Sequence, residues 1–64
     1  MLSKRQEEVA KLLVKGKSTK EIAAALRLSP STCLHHIRRL CAKVGAANRI
    51  ECEAKLGALG FYRE

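Results

Sequence analysis

Three cysteines, two histidines and a band of arginines and lysines are the residues in this chain whose types can do chemistry. Cys33, His36 and Cys52 would make soft-metal ligands if two helices brought them together. No Cys-x-x-Cys or His-x-x-x-His pair accompanies them, and tetrahedral sites usually take four ligands at such spacings. No metal is expected. Catalysis is not expected either. No carboxylate falls among the apolar positions, there is no glycine-rich phosphate loop, and no Cys–His–acid set is spaced to activate a nucleophile. The chain reads as a non-enzyme without a cofactor. Cys33, Cys41 and Cys52 cannot all pair within one chain and are expected to be reduced packing residues. His36 lies beside the apolar stripe of its segment, which favours a hydrogen-bonded structural role.

The cations carry more information. Thirteen Lys and Arg stand against six Asp and Glu in 64 residues, a net charge of +7, with a pI near 9.9. They are not spread evenly. Between Lys15 and Lys43 seven bases meet one acid, Glu21, so this stretch alone carries +6. A clustered basic surface is the electrostatic footprint of a nucleic-acid binder. No apolar run reaches the length of a signal peptide or of a membrane span. The expected compartment is therefore the cytoplasm, with no membrane partner.

Four helices position these residues, and one domain over 1–64 is the most this length supports. Aromatic residues are confined to Phe61 and Tyr62, so the core must be built from Leu, Ile, Val and Ala. Ser3 with Gln6 opens a first helix at about 4–15, carried by Val9, Leu12 and Leu13 and stopped by Gly16. Ser18 with Glu21 opens a second, which buries Ile22, Ala23 and Leu26 and runs to about Arg27. Ser29-Pro30 opens a third over about 30–44, because proline is tolerated at the first helical position. Cys33, Ile37, Leu40 and Val44 make its continuous apolar face, and Gly45 ends it. Asn48, with Glu51 three residues on, opens a fourth over about 48–58. No segment alternates with the period of a strand, so the fold class is all-α. Only Leu28-Ser29-Pro30 separate helices two and three. That forces a sharp turn with small Ala23 at the close approach and Leu28 plugging the corner, the layout of a helix-turn-helix.

These residues fall in ordered blocks. Leu2-Ser3-x-Arg5-x-x-Glu8-Val9, Gly16-Lys17-Ser18-x-Lys20-Glu21-Ile22-Ala23, Leu28-Ser29-x-Ser31-Thr32 with His36, and Lys43-Val44 with Asn48-Arg49-x-Glu51 together resemble the LuxR-type (GerE-like) helix-turn-helix DNA-binding domain. The resemblance spans about residues 2–60. It implies a four-helix domain whose third helix enters the major groove of double-stranded DNA and whose fourth helix pairs two protomers. It also implies an upstream sensor or receiver domain, which this chain lacks. Two departures stand out. Gln6 occupies a position where the family often has Glu, which removes an expected salt bridge. Thr32-Cys33-Leu34 stands where the family often has Thr-Val-Lys. Leu34 can touch a thymine methyl but cannot pair with phosphate.

Helical periodicity exposes Leu34, His35, Arg38 and Arg39 as base-edge candidates. Lys17, Lys20, Ser31, Thr32 and Lys43 flank that face as phosphate candidates. Helix four carries more apolar residues than one buried face needs. Cys52, Leu56 and Leu59 are the expected dimer-face stripe, opposite Ile50, Ala54 and Gly57, and the resulting homodimer should be weak. Two other readings are a protein-interaction module that titrates a full-length regulator through helix four, and a promoter binder like region four of sigma factors. The first draws on Leu34 and is opposed by the +6 stretch. The second shares the Glu-Ile-Ala rhythm and is opposed by the Asn48-Arg49-x-Glu51 block.

Overall fold

Each helix starts where a short polar side chain replaces a missing backbone acceptor. The computed structural model describes residues 2–61. It contains α1 (Lys4–Val14), α2 (Thr19–Leu26), α3 (Pro30–Lys43) and α4 (Arg49–Ala58), with no strand among the described residues. Ser3 Oγ accepts from the Gln6 amide at 3.1 Å, and the Ser3 amide donates to Gln6 Oε1 at 2.9 Å. Gln6 thus does the work of a capping Glu without a charge, which suits it as the one buried polar residue of the described chain. Ser18 and Glu21 form the same reciprocal box at 3.1 and 2.8 Å. The Ser18 amide beside its carboxylate holds Glu21 below the usual carboxylate range. At α4 the box is stretched. Asn48 Oδ1 accepts from the Glu51 amide at 2.9 Å, while Glu51 Oε1 reaches past the cap to the Ala47 amide at 2.8 Å. Lys15, Arg27, Val44 and Asn48, expected at helix ends, are the capping residues themselves.

Helix ends are set by backbone sign. Gly16 and Gly45 take φ of +83° and +74°, a region open to glycine at little cost. Arg27 does the same at the end of α2 with φ 59°. A side chain there costs about 1–2 kcal/mol. Return bonds from the Leu28 amide to the Ala23 carbonyl at 2.8 Å and from the Arg27 amide to the Ala24 carbonyl at 3.3 Å hold it in place.

One core serves all four helices. Val9, Ala10 and Leu13 of α1, Ile22 of α2, Cys33 and Leu40 of α3 and Cys52 and Leu56 of α4 are fully buried, with Ala23 and Ile37 nearly so. Helix α1 packs on the other three, and α3 packs on α1, α2 and α4. Leu26, Leu28 and Val44 lie half-buried at the edge of this cluster. The core was expected to be free of aromatics, but Phe61 packs against its margin. Its amide bonds the Leu56 carbonyl at 3.1 Å, which brings Phe61 back onto the end of α4. Tyr62 lies outside the described residues.

The cysteines are core groups. All three are free thiols. Burial pushes the Cys33 thiol up. Cys52 is pushed from 9.0 up to about 12, first by burial and then by a hydrogen bond with Cys41.

Two outcomes follow from this packing. Leu40→Ala should cost about 2–5 kcal/mol, read as a lower urea midpoint or outright loss of helical circular dichroism. The Cys52 thiol remains protonated in the folded chain at a pH where the unfolded chain ionises it. Its contribution to stability is therefore whole below about pH 9 and lost as pH rises toward about 12. Cys52→Val should flatten that alkaline decline in thermal melts.

Candidate nucleic-acid interface

The inward stripe of α3 decides its outward one. With Cys33, Ile37 and Leu40 buried, the 3.6-residue repeat turns Ser31, His35, Arg38 and Ala42 to the opposite side. Those four are exposed, as are Thr32, Arg39 and Lys43. Leu34 lies on the flank, 38% exposed. The base-edge candidates Leu34, His35, Arg38 and Arg39 thus share one helix face.

Recesses border that face on two sides. Leu34 and Arg38 line a cavity of about 370 Å³ with Thr19, Ala46 and Arg49, between α3 and the starts of α2 and α4. Arg39 and Lys43 line another of about 290 Å³ with Ser3, Gln6 and His36, toward the start of α1. His36 was expected to be hydrogen-bonded within the fold. Its half-buried ring instead meets His35 edge-on, with centroids 6.2 Å apart, and has no hydrogen-bond partner among the described residues. The ring lines the second recess, and its unpaired nitrogens stay in reach of water.

The phosphate candidates occupy the rim. Ser31 and Thr32 form the first turn of α3, where Ser29 Oγ accepts from the Thr32 amide at 3.2 Å and donates to Thr32 Oγ1 at 2.9 Å. Ser31 Oγ lies 3.4 Å from the same cap. Lys17 and Lys20 are exposed before and within the first turn of α2. A link that local sequence does not announce steadies this rim. Arg49 Nη2 donates to the Lys17 carbonyl, while Arg49 Nε pairs with Glu53 at 3.0 Å. Arg49 so fastens the loop carrying Lys17 to the start of α4.

The charge balance of the face follows from where the acids are engaged. Glu8 pairs with Arg5 at 3.2 Å, Glu53 pairs with Arg49, and Glu21 and Glu51 are bound by backbone amides at helix starts. Helix α3 contains no acid. Among the described residues Arg38, Arg39 and Lys43 have no carboxylate partner. No group of three His, Cys, Asp or Glu gathers among the described residues to hold a metal ion. Among them, no helix is long and apolar enough to cross a membrane.

Helix α4 corrects one expectation. Cys52 and Leu56 are fully buried, so they do not form a surface stripe. They face α1 and α3, and their side chains complete the core. Leu59 remains exposed at 64% because it caps α4 one turn past the last buried residue. Ile50, at 82%, and Ala54 are exposed apolar positions on the other side.

Residues 1–54 match the family described as bacterial regulatory proteins, luxR family. The chain is 40% identical over 60 residues to the spore germination protein GerE of Bacillus subtilis (strain 168), covering 94% of this chain and 81% of that protein. It is 42% identical over 55 residues to the transcriptional regulatory protein UhpA of Escherichia coli (strain K12), covering 86% of this chain and 28% of UhpA. A solved structure, the phage VqmA–DPO complex, superposes with a TM-score of 0.91 at 36% identity, over 98% of this chain and 29% of that one. The chain therefore spans most of GerE and under a third of the other two.

The burial along α4 separates two leucines experimentally. Leu56→Lys places a charge in the core, which costs several kcal/mol (roughly the whole stability of so small a domain), and should abolish helical circular dichroism. Leu59→Lys should leave the spectrum and the melting temperature close to those of the parent chain.

Proposed function

The chain belongs to the luxR family of bacterial regulatory proteins, and from that premise we propose that it binds double-stranded DNA in transcription control by laying α3 in the major groove. The observation that carries this reading is the α3 face: cations without carboxylate partners beside groups able to meet base edges, held out by a short turn. Arg38 is suited to a bidentate contact with guanine. His35, Arg39 and Leu34 border it as further base-edge groups. Lys17, Lys20, Ser31, Thr32 and Lys43 take phosphates, which set the register of the protein without reading sequence. The 64 residues act as one helix-turn-helix domain in the cytoplasm, and they do so without catalysis or a cofactor. The greater length of UhpA and of VqmA supports a sensor or receiver domain preceding such a module in a complete regulator.

The exposed Ile50 and Ala54 support α4 as the contact between two protomers. A two-fold axis there would set the recognition helices about 34 Å apart, one turn of duplex. So short a helix buries little area, so the homodimer is weak. The same exposed Ile50 favours a second reading, in which the chain titrates a full-length regulator through α4. In that case the chain would bind the regulator while its affinity for duplex stayed at the level of random DNA.

Anisotropy titrations at two salt concentrations test the DNA reading. Arg38→Ala should weaken binding to a selected duplex by about 1–3 kcal/mol and relax preference at one base pair. Lys17→Ala or Lys20→Ala should weaken all duplexes alike and lower the salt slope by about one. Unchanged affinity of Arg38→Ala for the selected duplex would show that α3 is not the reader.

A further inference from the structure

Leu34 is the one large apolar side chain exposed on α3. Its surroundings give that exposure a shape. Leu34 lines the cavity of about 370 Å³ together with Ile37, Arg38, Cys41 and Ala42. Arg38 and Ala42 follow Leu34 at one and two turns along the same side of the helix. The flank of the reading face is therefore a row of apolar, cationic and apolar groups. At 38% exposure Leu34 stands clear enough to be touched.

A leucine offers no hydrogen bond. A guanine, adenine or cytosine edge pressed against it gives up water and receives nothing in return. The one apolar feature on a base edge in the major groove is the C5 methyl of thymine. The cation beside Leu34 is Arg38, one turn further along the same side of α3, and its charge supplies the attraction that brings DNA onto this flank. Resting on the DNA reading above, we infer that Leu34 is a specificity-determining residue that selects a thymine through its 5-methyl group, within one or two base pairs of the base met by Arg38. Burying one methyl group is worth about 4-fold in affinity.

The test removes that methyl and nothing else. Duplexes are selected from a random library with the 64-residue chain, and each thymine of the best duplex is replaced by deoxyuridine in turn. Fluorescence anisotropy should show a loss of about 4-fold at one thymine. Leu34→Ala should bind the thymine and deoxyuridine duplexes equally. Leu34→Met, which presents a similar apolar surface, should keep most of the difference, and circular dichroism verifies that both variants fold. The assignment is overturned if no thymine is sensitive, or if Leu34→Ala keeps the same sensitivity. If the chain binds no duplex even at low salt, the DNA reading itself fails and this assignment falls with it. A selected duplex with a flat deoxyuridine scan removes the assignment alone.

Discussion

The turn between α2 and α3 is the constraint on which the rest of the molecule depends. Arg27 enters the left-handed region, the Leu28 amide reaches back to the Ala23 carbonyl, and Ser29 caps the next helix. Within three residues the chain direction is set. Ala23, almost fully buried, has the small side chain that lets the two helices approach. Once α3 leaves that turn with Cys33 pointing inward, the helical repeat gives no further choice. Ile37 and Leu40 follow into the core, and Arg38 and His35 must face out. A backbone conformation costing about 1–2 kcal/mol at Arg27 thus fixes the identity of a surface on the far side of α3.

Electrostatics reinforce what the turn arranges. The net charge of +7 would mean little if each cation had a local partner. Of the five acids among the described residues, Glu21 and Glu51 are engaged at helix starts, where they suit the positive end of the helix dipole, and Glu8 and Glu53 in pairs on α1 and α4. That leaves α3 with cations only. The molecule is consequently lopsided in charge, and a lopsided field orients an encounter as well as accelerating it.

Much of the fold was legible in the sequence because its signals are local. Ser3, Ser18, Ser29-Pro30 and Asn48 each announce a helix within four residues, and Gly16 and Gly45 each end one. The exposed face of α3 was legible for the same reason, as the complement of one apolar stripe. What escaped was decided over distance. Helix α4 carries two apolar stripes at equal spacing, and only contact with α1 and α3 determines that Cys52 and Leu56 go inside. The bond from Arg49 to the Lys17 carbonyl joins residues 32 apart, and no pattern in either segment foretells it. The exposed edge of the His36 ring and the return of Phe61 to the core margin likewise depend on how the helices meet.

The packing of α4 against α1 sets the order in which the structure can form. Contacts between α2 and α3 close over a few residues and are available early. Val9 and Leu13, near the beginning, are sealed partly by Cys52 and Leu56, near the end. On a ribosome the first helix must therefore wait, its apolar face uncovered, until the fourth has been made. Low contact order makes helical domains of this kind fold in about microseconds to milliseconds once the chain is whole. Synthesis, at about 5–20 residues per second, is far slower. The interval of exposure is thus governed by translation, and it ends when α4 emerges.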